Sequence, residues 1–101
     1  MSVPKTIRFT RKAEADFTSI LLYTEQQWGE QQKETYANRL FAALERLAGF
    51  PELGETRDDL APGLRALRVE QHVVYYLTTP KLIRVIRLRH IRASNVHVDD
   101  L

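Results

Sequence analysis

Between Leu64 and Arg92 the sequence carries seven basic residues, Arg65, Arg68, Lys81, Arg84, Arg87, Arg89 and Arg92, against one acid, Glu70. The whole chain is only +2, so this is a local field rather than a global one. Such a stretch draws anions by long-range Coulomb attraction, and six of its seven cations are arginines, whose planar fork suits carboxylate and phosphate. His72 and His90 lie in the same window, and the third histidine, His97, follows it. Metal-free cleavage of RNA needs a base for the 2′-hydroxyl, an acid for the leaving oxygen and cations on the phosphate. Cations are plentiful, and His90 or His97 could serve as the acid. Between Pro51 and Pro80 the chain carries the carboxylates Glu52, Glu55 and Glu70 and no lysine. The chain has no cysteine, which removes thiol mechanisms, disulfides and thiolate metal sites. No histidine spacing suggests a metal site, the four glycines are scattered rather than gathered into a phosphate loop, and no Ser-His-Asp arrangement can be argued. We therefore expect neither metal nor cofactor.

These residues need a scaffold, and 101 residues with 44% hydrophobic and 28% charged content fit one ordinary globular domain, residues 1–101. The apolar runs are too short to cross a membrane, and Met1 to Lys5 lacks the apolar stretch of a signal peptide, so a cytoplasmic protein is expected. Lys5 to Thr10 alternates like a strand. Thr10 then fits a helix N-cap, with Glu14 and Asp16 where the helix dipole favours anions. Ala13, Phe17, Ile20, Leu21, Thr24 and Trp28 recur at helical spacing up to Gly29. Tyr36, Leu40, Ala43, Leu44 and Leu47 form a second stripe, stopped by Gly49 and Pro51. So short a break predicts a helical hairpin. Pro51 to Gly63 reads as a loop. Leu64–Glu70, His72–Thr79 and Leu82–His90 read as three strands of an antiparallel meander, followed by a tail over 91–101. The expected fold is α+β, in the order β-α-α-β-β-β, with the helical hairpin on one face of the sheet.

Val73 to Leu77 is apolar at both parities, so one sheet face meets the helices and the other awaits cover by the tail or a partner. By strict alternation Val85, Arg87 and Arg89 share one face of the last strand, and Ile86, Leu88 and His90 the opposite one. Tyr75 and Tyr76 likewise point to opposite faces, one into the core and one into a groove. Arginines beside large apolar residues on a partly uncovered sheet predict a binding groove there. By the same reading Trp28 packs in the core or hairpin, and His72 is solvated at a turn.

Four anchors in order carry a resemblance that spans nearly the whole chain: FTRKAEADFTSILLYTEQQWG, ending a helix in Trp28-Gly29; LERLAGFPELGE, placing Pro51 and Gly54 after the second helix; PGLRALRVEQHVVYYL, with Gly63, Arg65 and paired tyrosines; and IRVIRLRHIR, running into His90 and Arg92. Together they resemble the RelE/ParE toxins of bacterial type II toxin–antitoxin pairs, the ParE branch in particular. The family more often continues as H-x-R-R-D or H-x-R-M-D, whereas here His90-Ile91-Arg92 is followed by Ala93-Ser94. The resemblance implies a RelE/ParE-like fold and a ParD-like antitoxin whose C-terminal segment wraps the toxin. It also implies either poisoning of DNA gyrase, as in ParE-type members, or ribosome-dependent mRNA cleavage, as in RelE-type members. For a ribonuclease it points to Arg68 as the phosphate-binding arginine, with His90 or His97 as acid. By the same resemblance RelE-type members take Lys or Glu as the base from the loop and first strands after the second helix; here that stretch has Glu52, Glu55 and Glu70 but no lysine, which favours a protein-binding toxin without chemistry of its own. For that reading Arg65, Arg68, Tyr75, Arg87, Arg89, His90 and Arg92 are the expected antitoxin- or target-binding residues, with Arg65 or Arg87 the most costly to truncate. Sequence-specific nucleic-acid binding is not expected of a chain with 13 acids at physiological salt.

Overall fold

The structure is a computed structural model that describes residues 3–93 and residue 101. His97 therefore lies outside the described residues. Strand β1 (Thr6–Phe9) leads into helix α1 (Arg11–Trp28), α2 (Glu30–Gly49), a two-residue β2 (Glu55–Thr56), β3 (Arg65–Val69), β4 (His72–Thr78) and β5 (Leu82–His90). One five-stranded sheet runs in the order β1-β5-β4-β3-β2. The three C-terminal strands form the expected antiparallel meander, and β1 joins the sheet parallel to β5. The loop after α2 differs from expectation only in that Glu55–Thr56 pairs antiparallel with Arg65 and Ala66.

Both helices form for the reasons the stripes gave. The Thr10 hydroxyl accepts the Ala13 N–H at 3.1 Å, capping α1, and donates to the Ile86 carbonyl at 2.9 Å, tying the helix start to β5. Gly29, at φ 92°, ends α1 and begins α2 without a linker. A left-handed residue is what lets the chain reverse there, and glycine adopts it at no steric cost. The stripe of α2 is buried throughout: Tyr36, Leu40, Ala43, Leu44 and Leu47 pack with Val69, Val74, Tyr76, Ile83, Val85 and Leu88 from the sheet. The α1 stripe is thinner. Ala13 and Thr24 are buried and Phe17 and Ile20 half-buried, but Trp28 is 71% exposed, so it does not pack in the core as the spacing predicts.

The second face of the sheet also departs from expectation. Tyr75 and Tyr76 do point to opposite faces, yet both are buried, at 5% and 0% exposure. Tyr76 belongs to the helix-facing core, where its hydroxyl donates to the Pro51 carbonyl at 2.6 Å and accepts the Gly54 N–H at 2.9 Å. Tyr75 lies on the other face, close to Arg57 of the chain's own loop, and in the same loop a Cβ at Gly63 would stand 3.9 Å from Leu77. That loop is held by Arg57, which forks Asp59 at 3.0 Å through both nitrogens, and by Asp58, which accepts the Gly63 N–H.

Alternation fails in β5. The pairing passes from Tyr75↔Arg87 to Tyr76↔Val85, so Ile86 is a bulge. Past it the parity flips: Ile83, Val85 and Leu88 share the core, and His90 pairs with His72 on that same side. Past the bulge Arg87 pairs with Tyr75, on the face away from the core, and from there it reaches α1 and forks Asp16 at 2.6 and 3.0 Å, while Asp16 also accepts the Leu88 N–H at 3.0 Å. β1 pairs with β5 only over Leu82 to Val85, so this carboxylate covers the strand edge that β1 leaves open.

Two stability predictions follow from these contacts. Asp16→Ala strips the Leu88 N–H of its acceptor and the guanidinium of a partly buried carboxylate. It should cost about 2–3 kcal/mol in urea unfolding. Gly54→Ala would set a methyl 2.7 Å from the fully buried Tyr76 hydroxyl and should cost about 1–3 kcal/mol by overpacking. An unchanged urea midpoint for either variant would refute the corresponding contact.

Candidate functional site

A groove of about 940 Å³ opens between α1 and the far ends of β4 and β5. It exists because the helical hairpin covers the middle of the sheet and leaves the row His72–His90 uncovered. One wall is the outer turns of α1, with Ile20, Tyr23 and Trp28; the floor is Leu88, His72 and His90; and Arg92 stands at the rim. The uncovered apolar groove is therefore on the helix side of the sheet. Strict alternation placed it on the opposite face, which the 57–64 loop covers instead.

The polar end of the groove is built tightly. Glu70 sits at φ 55°, an uncommon conformation for a non-glycine residue, in the two-residue turn between β3 and β4. The turn aims the Gln71 N–H at the Tyr36 hydroxyl, which accepts it at 3.1 Å. The same hydroxyl stands 2.5 Å from His72 Nδ1, and with its oxygen already accepting from Gln71 we assign its proton to that nitrogen, the acceptor within reach. Burial raises the Tyr36 phenol above its ordinary value, so the hydroxyl keeps that proton. His72 meets His90 edge to face, with ring centroids 5.2 Å apart. His90 Nδ1 accepts the Arg92 backbone N–H at 3.0 Å. Each imidazole thus has its Nδ1 lone pair taken by a donor within the fold, and each carries its proton on Nε2. A metal bound at Nε2 needs the opposite tautomer, with the proton on Nδ1. The described residues accordingly contain no group of three or more potential metal ligands of the His, Cys, Asp and Glu types.

The expected site residues scatter. His90 and Arg92 line the groove, and His72, expected to be solvated, joins them as a half-buried member of its floor. Arg65 faces the helix side beside Tyr76 and donates to the Gly54 carbonyl at 2.7 Å, a role in the fold. Arg87 is committed to Asp16, and Tyr75 is under the loop, so neither offers the accessible surface foreseen for it. Arg68 and Arg89 flank half-buried Val73 across three adjacent strands on the other face. Arg68 also lines a smaller cleft of about 330 Å³ with Arg39 and Arg46 of α2, where Arg39 bridges Glu70 at 3.4 Å. Helical spacing gives no sign that Tyr36 and Trp28 serve the groove, since both read as core. The only sequence signal for the Tyr36 contact was the tight Glu70-Gln71 turn.

Burial, and secondarily the charge of His90, pulls His72 from 6.5 down to about 4. The folded chain therefore keeps this ring neutral where the unfolded chain binds a proton. His72 takes nothing from stability above pH 6.5 and progressively more as pH falls from 6.5 toward 4. Urea midpoints at pH 7 and pH 4.5 should thus fall further apart in the wild type than in His72→Gln. Parallel losses in the two proteins would remove His72 as the cause.

Residues 7–94 match the family model described as "ParE toxin of type II toxin-antitoxin system, parDE". Toxin ParE1 of Caulobacter vibrioides is 36% identical over 86 residues, covering 85% of this chain and 88% of that protein. Toxin ParE1 of Mycobacterium tuberculosis is 35% identical over 81 residues, 79% of this chain and 83% of its own length. Toxin ParE of Escherichia coli is 37% identical over 68 residues, 67% of this chain and 66% of its own. Among solved structures, the chromosomal ParDE toxin–antitoxin system from P. aeruginosa superposes with a TM-score of 0.75 at 22% identity, covering 90% of this chain and all of that one. The RelBE2 toxin–antitoxin complex from Mycobacterium tuberculosis superposes with a TM-score of 0.57 at 22% identity, covering 87% and 99%. These two show the shared fold, and the family match and curated relatives show the lineage: the chain belongs to the ParE toxin family of type II toxin–antitoxin systems.

Proposed function

We propose that this chain acts by binding and not by catalysis, with DNA gyrase as its target, and that a ParD-like antitoxin neutralises it by docking in the groove between α1 and the sheet. The supporting observation is that the groove presents hydrogen-bond donors without a free base. Both imidazole Nδ1 atoms already accept a donor, and the carboxylate of Asp16, also on the lining, is held by Arg87 and the Leu88 N–H. Deprotonating a ribose 2′-hydroxyl needs a basic lone pair within reach, and none of these groups turns one outward. The apolar wall of Ile20 and Trp28 suits a protein segment, and a gyrase target would place the action in the cytoplasm.

A DNA supercoiling assay with purified gyrase tests the target, beside a ribosome-dependent mRNA cleavage assay with the same preparation. Supercoiling should be inhibited and mRNA left intact. Translation-dependent cuts that disappear in folded Arg68→Ala or His90→Ala would establish the ribonuclease reading instead. The antitoxin, sought as the product of the adjacent reading frame, should form a complex with this chain. Arg68→Ala and Arg89→Ala, on the face opposite the groove, should do no more than slow its association, with an effect that shrinks at high salt, because charges outside the contact act through long-range steering. Arg65→Ala and Arg87→Ala should act first on folding, through Gly54 and Asp16. If all four bind like wild type at both salts, the Arg-rich strands are not the docking surface.

A further inference from the structure

The His72–His90 end of the groove has a construction that packing alone does not require. Two histidines stand opposite each other on neighbouring strands, each with its tautomer set by a different internal donor, Tyr36 in one case and the Arg92 N–H in the other. The turn that delivers the Gln71 N–H to Tyr36 holds Glu70 in a left-handed conformation, a strain of the kind that persists where surrounding structure over-determines it. With both Nδ1 atoms satisfied, the polar atom each ring has left is an Nε2–H donor. Arg92 at the rim adds a third donor group. At this end of the groove the Asp16 carboxylate is already engaged while His72, His90 and Arg92 present donors, so its charge complement is an anion.

We propose that this end of the groove is a carboxylate receptor: the Nε2–H groups of His72 and His90, with the Arg92 guanidinium, take a single Asp or Glu carboxylate from an acidic, amphipathic peptide segment whose apolar neighbours lie along Ile20, Trp28 and Leu88. The proposal rests on the antitoxin-docking reading above and names the residue class that reading would place here. A nucleic-acid strand is the poorer occupant, because tracking a phosphate backbone takes several cations and this lining holds one. A small free carboxylate would fill the polar end and leave the apolar wall bare. Half-buried His72 is held neutral by its burial, so its contribution to binding should resist salt, unlike that of Arg68 and Arg89 on the other face.

The test uses the full chain with 15N-labelled histidine and two synthetic helical peptides. One carries a single glutamate set among leucines, and the other has glutamine in its place. Long-range imidazole spectra of the unbound protein should show both rings in the Nε2–H tautomer. The Glu peptide should bind at least tenfold more tightly than the Gln peptide, shift both Nε2–H resonances, and keep most of its advantage at high salt. His90→Phe, at an exposed position, and Arg92→Ala should each shrink the Glu-over-Gln ratio, whereas Arg68→Ala should leave it unchanged. Equal affinity for the two peptides, a ratio indifferent to His90→Phe, or an Nδ1–H tautomer in either ring would overturn the proposal. So would acetate alone shifting both resonances as strongly as the Glu peptide does. If the antitoxin complex forms but is insensitive to His90→Phe and Arg92→Ala, the receptor fails while the docking reading stands. If no antitoxin complex forms with the wild-type chain, the docking reading itself fails.

Discussion

One carboxylate governs how the two layers meet. β1 pairs with only the first half of β5, and beyond Val85 that strand would show a bare edge. Asp16 closes it by accepting the Leu88 N–H and clasping Arg87 with both oxygens. The pair is only 15–17% exposed at its side chains, so the attraction is weakly screened. The bulge at Ile86 lies in this stretch, and Thr10 fixes the start of α1 to it through the Ile86 carbonyl. Helix α1 is thereby held against a strand edge instead of lying flat on the sheet. Its outer turns overhang the ends of β4 and β5, and the groove is the space beneath them.

The floor of that space illustrates how a shared fold is turned to different ends by side chains. A chain of a ParDE system and a chain of a RelBE complex both superpose on this backbone, and a backbone alone does not specify what its side chains do. Tautomers can decide. A histidine whose Nδ1 accepts from a tyrosine or a backbone amide offers the groove a donor, and the neutral state of His72 reinforces this. The same two rings with free Nδ1–H groups could have served as bases or metal ligands.

Much of the fold was legible because period is a direct consequence of geometry. The α2 stripe, the helix break at Gly29 and the three-strand meander follow from spacing and glycine alone. What was not legible depended on events that period cannot register. A single bulge reversed the faces of half of β5, moving His90 to the helix side and Arg87 to the face of Tyr75. Loop 57–64 folded back over Tyr75 by forking Arg57 onto Asp59, which removed the face where a groove was expected. Trp28 obeys the helical spacing but lies past the end of the covering sheet, so the pattern continues where its burial does not. Arg65 and Arg87 look alike in a basic run. Only three-dimensional placement shows them to be spent on Gly54 and Asp16, while Arg68 and Arg89 stay at the surface.

The parallel pairing of β1 with β5 has a consequence for how such a chain comes into being. Thr6 to Phe9 dock beside Leu82 to Val85, so the first strand made must wait for almost the last before the sheet can close. Contacts so distant along the chain are slow to form, because loop closure must precede their reward. During that wait the buried stripe of α2 has no sheet to cover it, and Asp16 has neither Arg87 nor the Leu88 amide to hold. The groove, walled by α1 and floored by β4 and β5, joins residues far apart along the chain. A fragment that stops before β5 lacks Leu88 and His90, and with them the floor that a partner would recognise.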